Sequence, residues 1–378
     1  MEKIKLFEMF AGYGGATFAL KKVDIDFECV GYSEIDKNAI KIYELNHPGI
    51  KNYGDCTKIN PKELPDFDIL TAGFPCQPFS VNTNKNARGS SHKDFNLFKD
   101  IIRILEDKKP TYILLENVKG ILGKKSKEVH DELIKNLKDL GYEVRVVLVN
   151  SINYGTPQNR ERVLFIGKLG KFEEGEFILP KEEELKKSVL NILEDNPIRR
   201  EPAIKYKKLN KEVNIKKFGD ISRLDAILLN RVEKRKSNIM FEILDAPSNV
   251  VSRQSDRIYK PTFSPCLTAT GSDYLFCIND KIIVLTPKEC FRLMGFLGDE
   301  INLGDLSENQ KYKLAGNGWD INLMSRVLKN LIKQPIIIKN KETNDIFSEI
   351  IDISNMVDLK KEYKVELIKF VMQQNHNG

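Results

Sequence analysis

The sequence predicts an α/β fold with a parallel sheet and a second, smaller mixed domain. In the first half of the chain, short apolar runs of strand length alternate with segments of helical periodicity. Glycine-rich or polar turns separate these segments. Chains with this alternation fold into a parallel sheet covered by helices. With 378 residues, the chain is also longer than one ordinary domain core.

Composition and residue spacing argue against a membrane protein, a disulfide-rich protein and a metal-binding protein. Hydrophobic residues make up 41% and charged residues 30%, a balance typical of a soluble globular protein. No apolar run approaches the about 18 residues that a membrane span needs. Because the N-terminus leads straight into a strand pattern, we expect no signal peptide. The six cysteines lack CxxC spacing, and no two of the four histidines are at i and i+4. We therefore expect a cytoplasmic monomer without a metal site, a disulfide framework or a membrane segment.

The first elements predict a nucleotide-like ligand site. Residues 4–10 form the first predicted strand, residues 12–15 a glycine turn and residues 16–22 a helix. The spacing is not GxGxxG, so a pyrophosphate is not predicted. A second strand at 27–32 leads to Glu34, placed to accept hydrogen bonds from two ribose hydroxyls, and Asp55 follows later. Together they favour a nucleoside-containing cofactor over a bare turn with two surface acids.

The next elements predict a reactive crevice. A strand at 67–72 leads to Cys76, and a strand at 111–115 leads to Glu116. Because carboxyl ends of parallel strands share one edge of a sheet, these two side chains should face one crevice. Taken alone, Cys76 is better explained as a small buried residue, because buried structural cysteines outnumber reactive ones. Helices are expected at 36–46, 95–106 and 119–141, with a strand at 144–150.

Two arginines precede the last strand of this half. Arg160 and Arg162 stand at i and i+2 before a strand at 163–167, so their side chains should point the same way. They are suited to a phosphate or a base carbonyl, or to pairing with surface acids. Further along, residues 199–236 hold thirteen Lys and Arg against five Asp and Glu, a local net charge of +8 in a chain of net charge +6. Such a block is expected in a polyanion-binding protein, although a solvated lysine-rich surface has the same composition.

Six segments, in order, resemble the signature blocks of the C5-cytosine DNA methyltransferases. They are FAGYGG at 10–15, GFPCQ at 73–77, ENV at 116–118, QNRER at 158–162, TPKECFRLMGF at 286–296 and GN at 316–317. The resemblance covers about residues 3–332 and implies a Rossmann-like S-adenosylmethionine-dependent methyltransferase sheet domain with a smaller, mixed target-recognition domain. The implied domains are a catalytic and cofactor domain at 1–180 completed by 314–335, a recognition domain and hinge at 181–313, and a C-terminal extension at 336–378, expected to be helical.

The resemblance also implies roles for single residues. Cys76 is the nucleophile that adds to carbon 6 of cytosine, and Glu116 protonates or hydrogen-bonds ring nitrogen 3. Arg162 contacts the 2-carbonyl, and Arg160 helps to set the pocket. The residues assigned to the base are Phe74, Pro75 and Val118. The residues assigned to S-adenosylmethionine are Phe10, Gly12, Tyr13, Gly14, Gly15, Glu34, Ile35, Asp55, Cys56 and Asn317.

The implied substrate is double-stranded DNA with the target cytosine rotated out of the duplex. A cognate restriction endonuclease is the partner expected for a restriction–modification enzyme. Two alternatives remain: a transfer-RNA methyltransferase of the same fold, and a non-catalytic DNA-binding regulator. The chain departs from the family pattern at two places. Cys266 precedes Leu267 where the family has a threonine before the leucine, and Gly318-Trp319 follows Gly-Asn where the family has a serine.

Overall fold

The computed structural model describes the greater part of the sheet domain and shorter stretches of the remainder. The described residues are 3–23, 25–75, 97–173, 176–200, 239–242, 257–269, 274–279, 281–296, 301–332, 337–339 and 346–348. Cys76, the polar segment after it and most of the basic block therefore lie outside the described residues, as does the predicted C-terminal helix.

The centre of the structure is a six-stranded sheet. Its strands are β1 (Ile4–Met9), β2 (Phe27–Ser33), β3 (Ile69–Gly73), β4 (Tyr112–Val118), β5 (Tyr142–Asn150) and β7 (Glu161–Leu169), with a two-residue strand, β6 (Gln158–Asn159), just before β7. The order across the sheet is β2-β1-β3-β4-β7-β5. The first four strands pair in parallel, as predicted.

The sheet is not parallel throughout, which corrects the sequence prediction. Strand β7 runs antiparallel to both β4 and β5. Only residues 151–160 separate β5 from β7. A parallel crossover needs about a dozen residues or more, so this connection returns the chain as an antiparallel neighbour.

Helices cover the sheet and complete the core. They are α1 (Gly15–Lys22), α2 (Lys37–Asn46), α3 (Leu97–Lys108), α4 (Lys127–Asp139), α5 (Pro287–Arg292), α6 (Glu308–Asn317) and α7 (Ile321–Leu331). The predicted helix at 119–141 is wrong over its first eight residues, because residues 119–126 form two short 3-10 turns around Gly123. The apolar faces of α3 and α4 pack on the side chains of β3, β4 and β7 in one core cluster.

The second half of the chain adds small strands. These are β8 (Ile239–Glu242), β9 (Arg257–Tyr259), β10 (Ser264–Pro265), β11 (Leu275–Ile278) and β12 (Lys281–Val284). Strands β8, β9, β11 and β12 form a four-stranded sheet. Strand β10 instead pairs with β6, which brings the residues after Pro265 next to Arg160.

By its contacts the chain divides into two units, Met1–Phe172 with Leu179–Lys329, and Glu173–Ile178 with Asn330–Gly378. The second contains an antiparallel pair, β13 (Ile337–Lys339) and β14 (Ile346–Ser348). Among the described residues, no helix is both long and apolar enough to cross a bilayer. The same residues contain no cluster of three His, Cys, Asp or Glu side chains suited to a metal ion.

Several of the predicted site residues lie at one edge of the sheet. Gly73 at the end of β3 pairs with Glu116 on β4, and Val118 at the end of β4 pairs with Arg162. The carboxyl ends of β1, β3 and β4 therefore meet the amino end of β7 at a single crevice.

Candidate active site

An ion pair joins β4 to β7 at this edge. Arg162 Nε lies 2.6 Å from Glu116 Oε1, and the two side chains are only 11% and 12% exposed. The strand register explains the contact, because Arg162 is opposite Val118 and Glu116 is two positions earlier on the same face. A charge-assisted bond between two largely desolvated groups holds both in one geometry.

Arg160 connects three parts of the chain. Its guanidinium donates to the main-chain carbonyls of Leu267 at 3.1 Å, Gly316 at 3.2 Å and Gly318 at 2.7 Å. The residue is 2% exposed. Because a buried guanidinium must be satisfied by acceptors, these bonds fix the segment after β10 and the end of α6 against the sheet edge.

Cys266 lies between the two arginines. Its Sγ is 3.5 Å from Arg160 Nη1 and 3.7 Å from Arg162 Nη1. Burial acts to raise the pKa of this thiol, but the guanidinium groups of Arg162 and Arg160 outweigh burial and hold the pKa below its ordinary value. Both arginine side chains do point the same way, as their spacing predicts, since they reach one sulfur atom.

The end of β3 is fixed by β4. The buried Asn117 donates from Nδ2 to the Phe74 carbonyl at 3.3 Å, and its Oδ1 accepts from Val118 N at 2.8 Å. The Phe74 ring is buried in the core, 6.5 Å from the Phe165 ring centroid. Asn117 therefore positions the backbone at Phe74 and Pro75, the last described residues before Cys76.

A cleft lies beside this crevice, at the end of β1. It encloses about 350 Å3, including space open to solvent, and its wall is formed by residues of β1, the glycine turn, β3 and the segment after α6. The lining residues are Glu8, Met9, Phe10, Ala11, Gly12, Tyr13, Gly15, Ala16, Thr71, Gly73, Asn317, Gly318 and Trp319.

The glycine turn is shaped by its neighbours. Gly14 has φ 91°, and a Cβ atom there would lie 2.5 Å from the His47 ring, so no larger residue fits. Gly12 has φ 57°, and no atom lies within 4 Å of a Cβ atom placed there. The turn is therefore packed on the His47 side and open at Gly12.

Glu34 ties the turn to β2. Its Oε2 accepts from Gly12 N at 2.9 Å, and its Oε1 accepts from the N–H groups of Ile35 at 2.8 Å and Asp36 at 2.9 Å. A carboxylate offers about four acceptor sites, so three main-chain bonds leave room for a further donor.

Comparison with known proteins decides the family. The C-5 cytosine-specific DNA methylase profile matches residues 4–333. The chain belongs to this family. It is 39% identical over 315 residues to the type II methyltransferase M.NlaX of Neisseria lactamica, covering 83% of this chain and 91% of that protein. It is 42% identical over 196 residues to M.BsuFI of Bacillus subtilis, covering 52% of this chain and 47% of that protein.

The fold is also that of known methyltransferases. The Entamoeba histolytica methyltransferase EhMeth superimposes with a TM-score of 0.62 at 19% identity, over 88% of this chain and 98% of that one. The predicted family and fold class are thus confirmed. The central sheet of this DNA methylase is the sheet of the S-adenosylmethionine-dependent methyltransferase fold.

Five predicted cofactor residues of the methylase lie outside the cleft lining: Gly14 and Glu34, described above, and Ile35, Asp55 and Cys56. Ile35 is 70% exposed directly after Glu34. Asp55 accepts from Thr57 N at 3.1 Å and from Thr57 Oγ1 at 2.8 Å, and Cys56 is buried, which raises the pKa of its thiol to about 12. The loop that carries Asp55 and Cys56 is tied to β2 by the bond from Ser33 Oγ to the Gly54 carbonyl, 2.7 Å long.

Tyr13 also has a structural role beside the cleft. Its ring is fully buried against Phe18, Phe291 and Phe296, and its hydroxyl donates to the Trp319 carbonyl at 2.8 Å. It borders the cleft but joins the glycine turn to the segment after α6. Packing of an aromatic residue from the turn against residues almost 300 positions later has no local sequence signal.

Sequence reasoning missed several residues of the methylase site. Glu8 is an acid inside an apolar strand, and it accepts from Ala16 N at 3.0 Å and from the Thr17 hydroxyl at the start of α1. Cys266 and Trp319 were visible only as departures from the family pattern. A buried charge in a central strand is the signal that points to Glu8.

Proposed function

We propose that the protein transfers a methyl group from S-adenosylmethionine to carbon 5 of a cytosine flipped out of double-stranded DNA, through a covalent adduct of Cys76. The Glu116–Arg162 pair carries the proposal, because it lies at the same sheet edge as the glycine-turn cleft, and Cys76 directly follows Pro75 at that edge.

The reaction needs a nucleophile and an acid. Carbon 5 of cytosine is too weak a nucleophile by itself. Addition of the Cys76 thiolate to carbon 6 forms a carbon–sulfur bond, and a proton from the Glu116 carboxyl goes to ring nitrogen 3. The ring electrons then reside in an enamine whose carbon 5 is nucleophilic. After methylation a water molecule takes the carbon 5 proton, the electron pair of that bond re-forms the 5,6 double bond and expels the Cys76 thiolate, and ring nitrogen 3 returns its proton to Glu116.

Three side chains position these groups. Arg162 orients the Glu116 carboxyl through the 2.6 Å contact and supplies donors for the 2-carbonyl of the base. Asn117 fixes the Phe74 carbonyl, which lies beside the exocyclic amine of the base in this proposal. Arg160 keeps the segment after β10 closed against them.

Three observations support S-adenosylmethionine as the ligand of the cleft. No atom lies within 4 Å of a Cβ atom placed at Gly12, Glu34 retains acceptor capacity beside Gly12, and Phe10 lines the cleft. Phe10 would contact the adenine, Glu34 the ribose, and the Gly12–Gly15 turn the amino-acid end. When bound there, S-adenosylmethionine supplies an electrophilic methyl group.

The names of the relatives suggest the biological setting, and the basic block suggests how DNA is bound. M.NlaX and M.BsuFI are named type II methyltransferases, so we place this enzyme in a restriction–modification system. Extruding a base from the duplex costs a few kcal/mol of unstacking. Phosphate contacts of the basic block at 199–236 would offset that cost.

The decisive experiment is Cys76→Ser. The variant should lose transfer of tritiated methyl groups to duplex DNA while binding the same duplex, because serine is a far weaker nucleophile than a thiolate at neutral pH. Wild type should also form a denaturant-resistant adduct with a duplex that contains 5-fluorocytosine, and the variant should not.

Cys277→Ser is the matched control, since it removes a thiol from β11, outside the proposed site. It should retain methyl transfer. Wild-type rates in Cys76→Ser would refute the mechanism. Methyl transfer to transfer RNA but not to duplex DNA would favour the RNA alternative. Bisulfite sequencing of DNA from expressing cells would then identify the modified cytosine.

A further inference from the structure

The chain has a single tryptophan, Trp319, and it lies in the wall of the cofactor cleft. Its side chain is 8% exposed. It follows Gly316, Asn317 and Gly318, in the block where the family pattern differs from this sequence.

The indole spans the cleft from the glycine turn to the end of β3. A Cβ atom placed at Gly15 would lie 3.2 Å from Trp319 Cβ, and one placed at Gly73 would lie 2.8 Å from Trp319 Nε1. The same point at Gly73 is 3.5 Å from Glu116 Oε2. The ring thus lies between the turn and the Glu116 carboxylate: a side chain at Gly73 would collide with the indole Nε1, and one at Gly15 would be in tight contact with Trp319 Cβ.

Two hydrogen bonds to main-chain carbonyls hold the backbone that carries the indole ring. The Trp319 carbonyl accepts from the Tyr13 hydroxyl at 2.8 Å, and the preceding Gly318 carbonyl accepts from Arg160 at 2.7 Å. Tyr13 and Arg160 are themselves buried. These bonds involve main-chain atoms, so they survive a change of the side chain.

This placement has a chemical consequence that rests on the proposed function. A methyl group that moves from a donor at the glycine turn to a ring beside Glu116 must pass next to the indole. The donor carries a positive sulfonium, whereas its product is a neutral thioether. An indole face attracts cations more strongly than any other aromatic side chain does. We propose that the Trp319 indole distinguishes the charged methyl donor from the neutral product and so favours product release.

The test is calorimetric binding of three ligands to the full chain. S-adenosylmethionine and sinefungin both carry a positive charge at the relevant centre, and S-adenosylhomocysteine does not. Trp319→Leu should weaken binding of the two charged ligands by about 5- to 30-fold, the range expected for a cation–π contact, and change binding of the neutral one by less than about 2-fold. Trp319→Phe should give an intermediate loss for the charged ligands.

Phe10→Leu is the matched control. Phe10 lines the same cleft, and its proposed contact is with the adenine that all three ligands share. This variant should weaken all three ligands by a similar factor and leave their relative affinities unchanged. Thermal unfolding by circular dichroism checks that each variant is folded, and Trp319→Phe carries the test if Trp319→Leu is not.

The single tryptophan gives a second readout that does not depend on turnover. In wild type, the charged ligands should change its fluorescence more than S-adenosylhomocysteine does at saturation. Equal loss of charged and neutral ligands in Trp319→Leu, or no loss, would overturn the inference. Failure of wild type to bind any of the three ligands would instead overturn the proposed function.

Discussion

Cys266 shows how a local charge balance can outweigh burial at a single residue. Its sulfur lies within 3.7 Å of a nitrogen of both Arg160 and Arg162. The pKa of this thiol is lowered, whereas burial raises the pKa of Cys56 to about 12 and also raises the pKa of Cys290. The same side chain is thus inert in the core and acidic beside two guanidinium groups.

This difference predicts selective alkylation. At pH 7 to 8, iodoacetamide should label Cys266, which is partly accessible, much faster than Cys56 or Cys290, because the thiolate is the reactive species. Site-resolved mass spectrometry of peptides from the native protein measures the rates. In urea all three cysteines should react at comparable rates. Equal rates in the native protein would contradict the charge balance described here.

At the scale of elements, the glycine turn depends on helices α1 and α2. His47, at the end of α2, packs against the Phe18 ring at 4.5 Å and occupies the space beside Gly14. Its Nδ1 accepts from Lys21 Nζ on α1 at 3.0 Å. Burial, with the Lys21 charge, lowers the pKa of His47 from 6.5 to about 3. A neutral imidazole is therefore part of the packing that shapes the cleft.

The lowered pKa predicts acid sensitivity. The folded state binds the His47 proton only near pH 3, whereas the unfolded chain binds it near 6.5, so His47 contributes stability above 6.5 that is lost as pH falls toward 3. The loss should be at most about 1.4 kcal/mol per pH unit for this one proton. His47→Asn removes this contribution.

Urea unfolding at several pH values between 7.5 and 4 measures the contribution of His47 to the free energy of unfolding. The free energy of unfolding should fall less steeply on acidification in the variant than in wild type. Carboxylates titrate in both proteins, so the difference between the two curves isolates His47. Parallel curves would show that the His47 proton is not linked to folding.

At the scale of the whole molecule, positive charge is concentrated in the basic block at 199–236. Two arginines of this block contact other residues of the same chain. Arg199 pairs with the buried Glu289 at 2.5 Å, and Arg200 lies 4.5 Å from the Tyr312 ring centroid. These two arginines stabilise the region around α5 and α6. The remaining basic residues of the block, which lie outside the described residues, are the candidates for DNA contact.

The salt dependence of DNA binding tests this division. Neutralising Lys234, Arg235 and Lys236 with glutamine should reduce the slope of log affinity against log salt by up to about 2.7, since each lost phosphate contact removes about 0.9. Fluorescence anisotropy with a labelled duplex gives the slope. The charge-matched control replaces Lys127, Lys135 and Lys138 on α4 and should leave the slope nearly unchanged. An equal effect of both triple variants would show that only net charge matters.

Local sequence patterns were sufficient to predict the order of elements and the family. Apolar strand runs, the glycine turn and acids at strand ends are local patterns, so they located β1, β3 and β4 and the residues at their carboxyl ends. Local periodicity was less useful where short turns interrupt it, as at residues 119–126 before α4. It also could not give the direction of β7, which depends on the length of the preceding connection.

Which distant residues share the site could be seen only in the folded chain. Cys266 reaches Arg160 across 106 positions, and the Tyr13 hydroxyl reaches the Trp319 carbonyl across 306. Such contacts come from strand register and side-chain packing, which have no period in the sequence. The physical reason is that local propensity sets where each strand ends, whereas burial and hydrogen-bond satisfaction between elements set what lies beside that end.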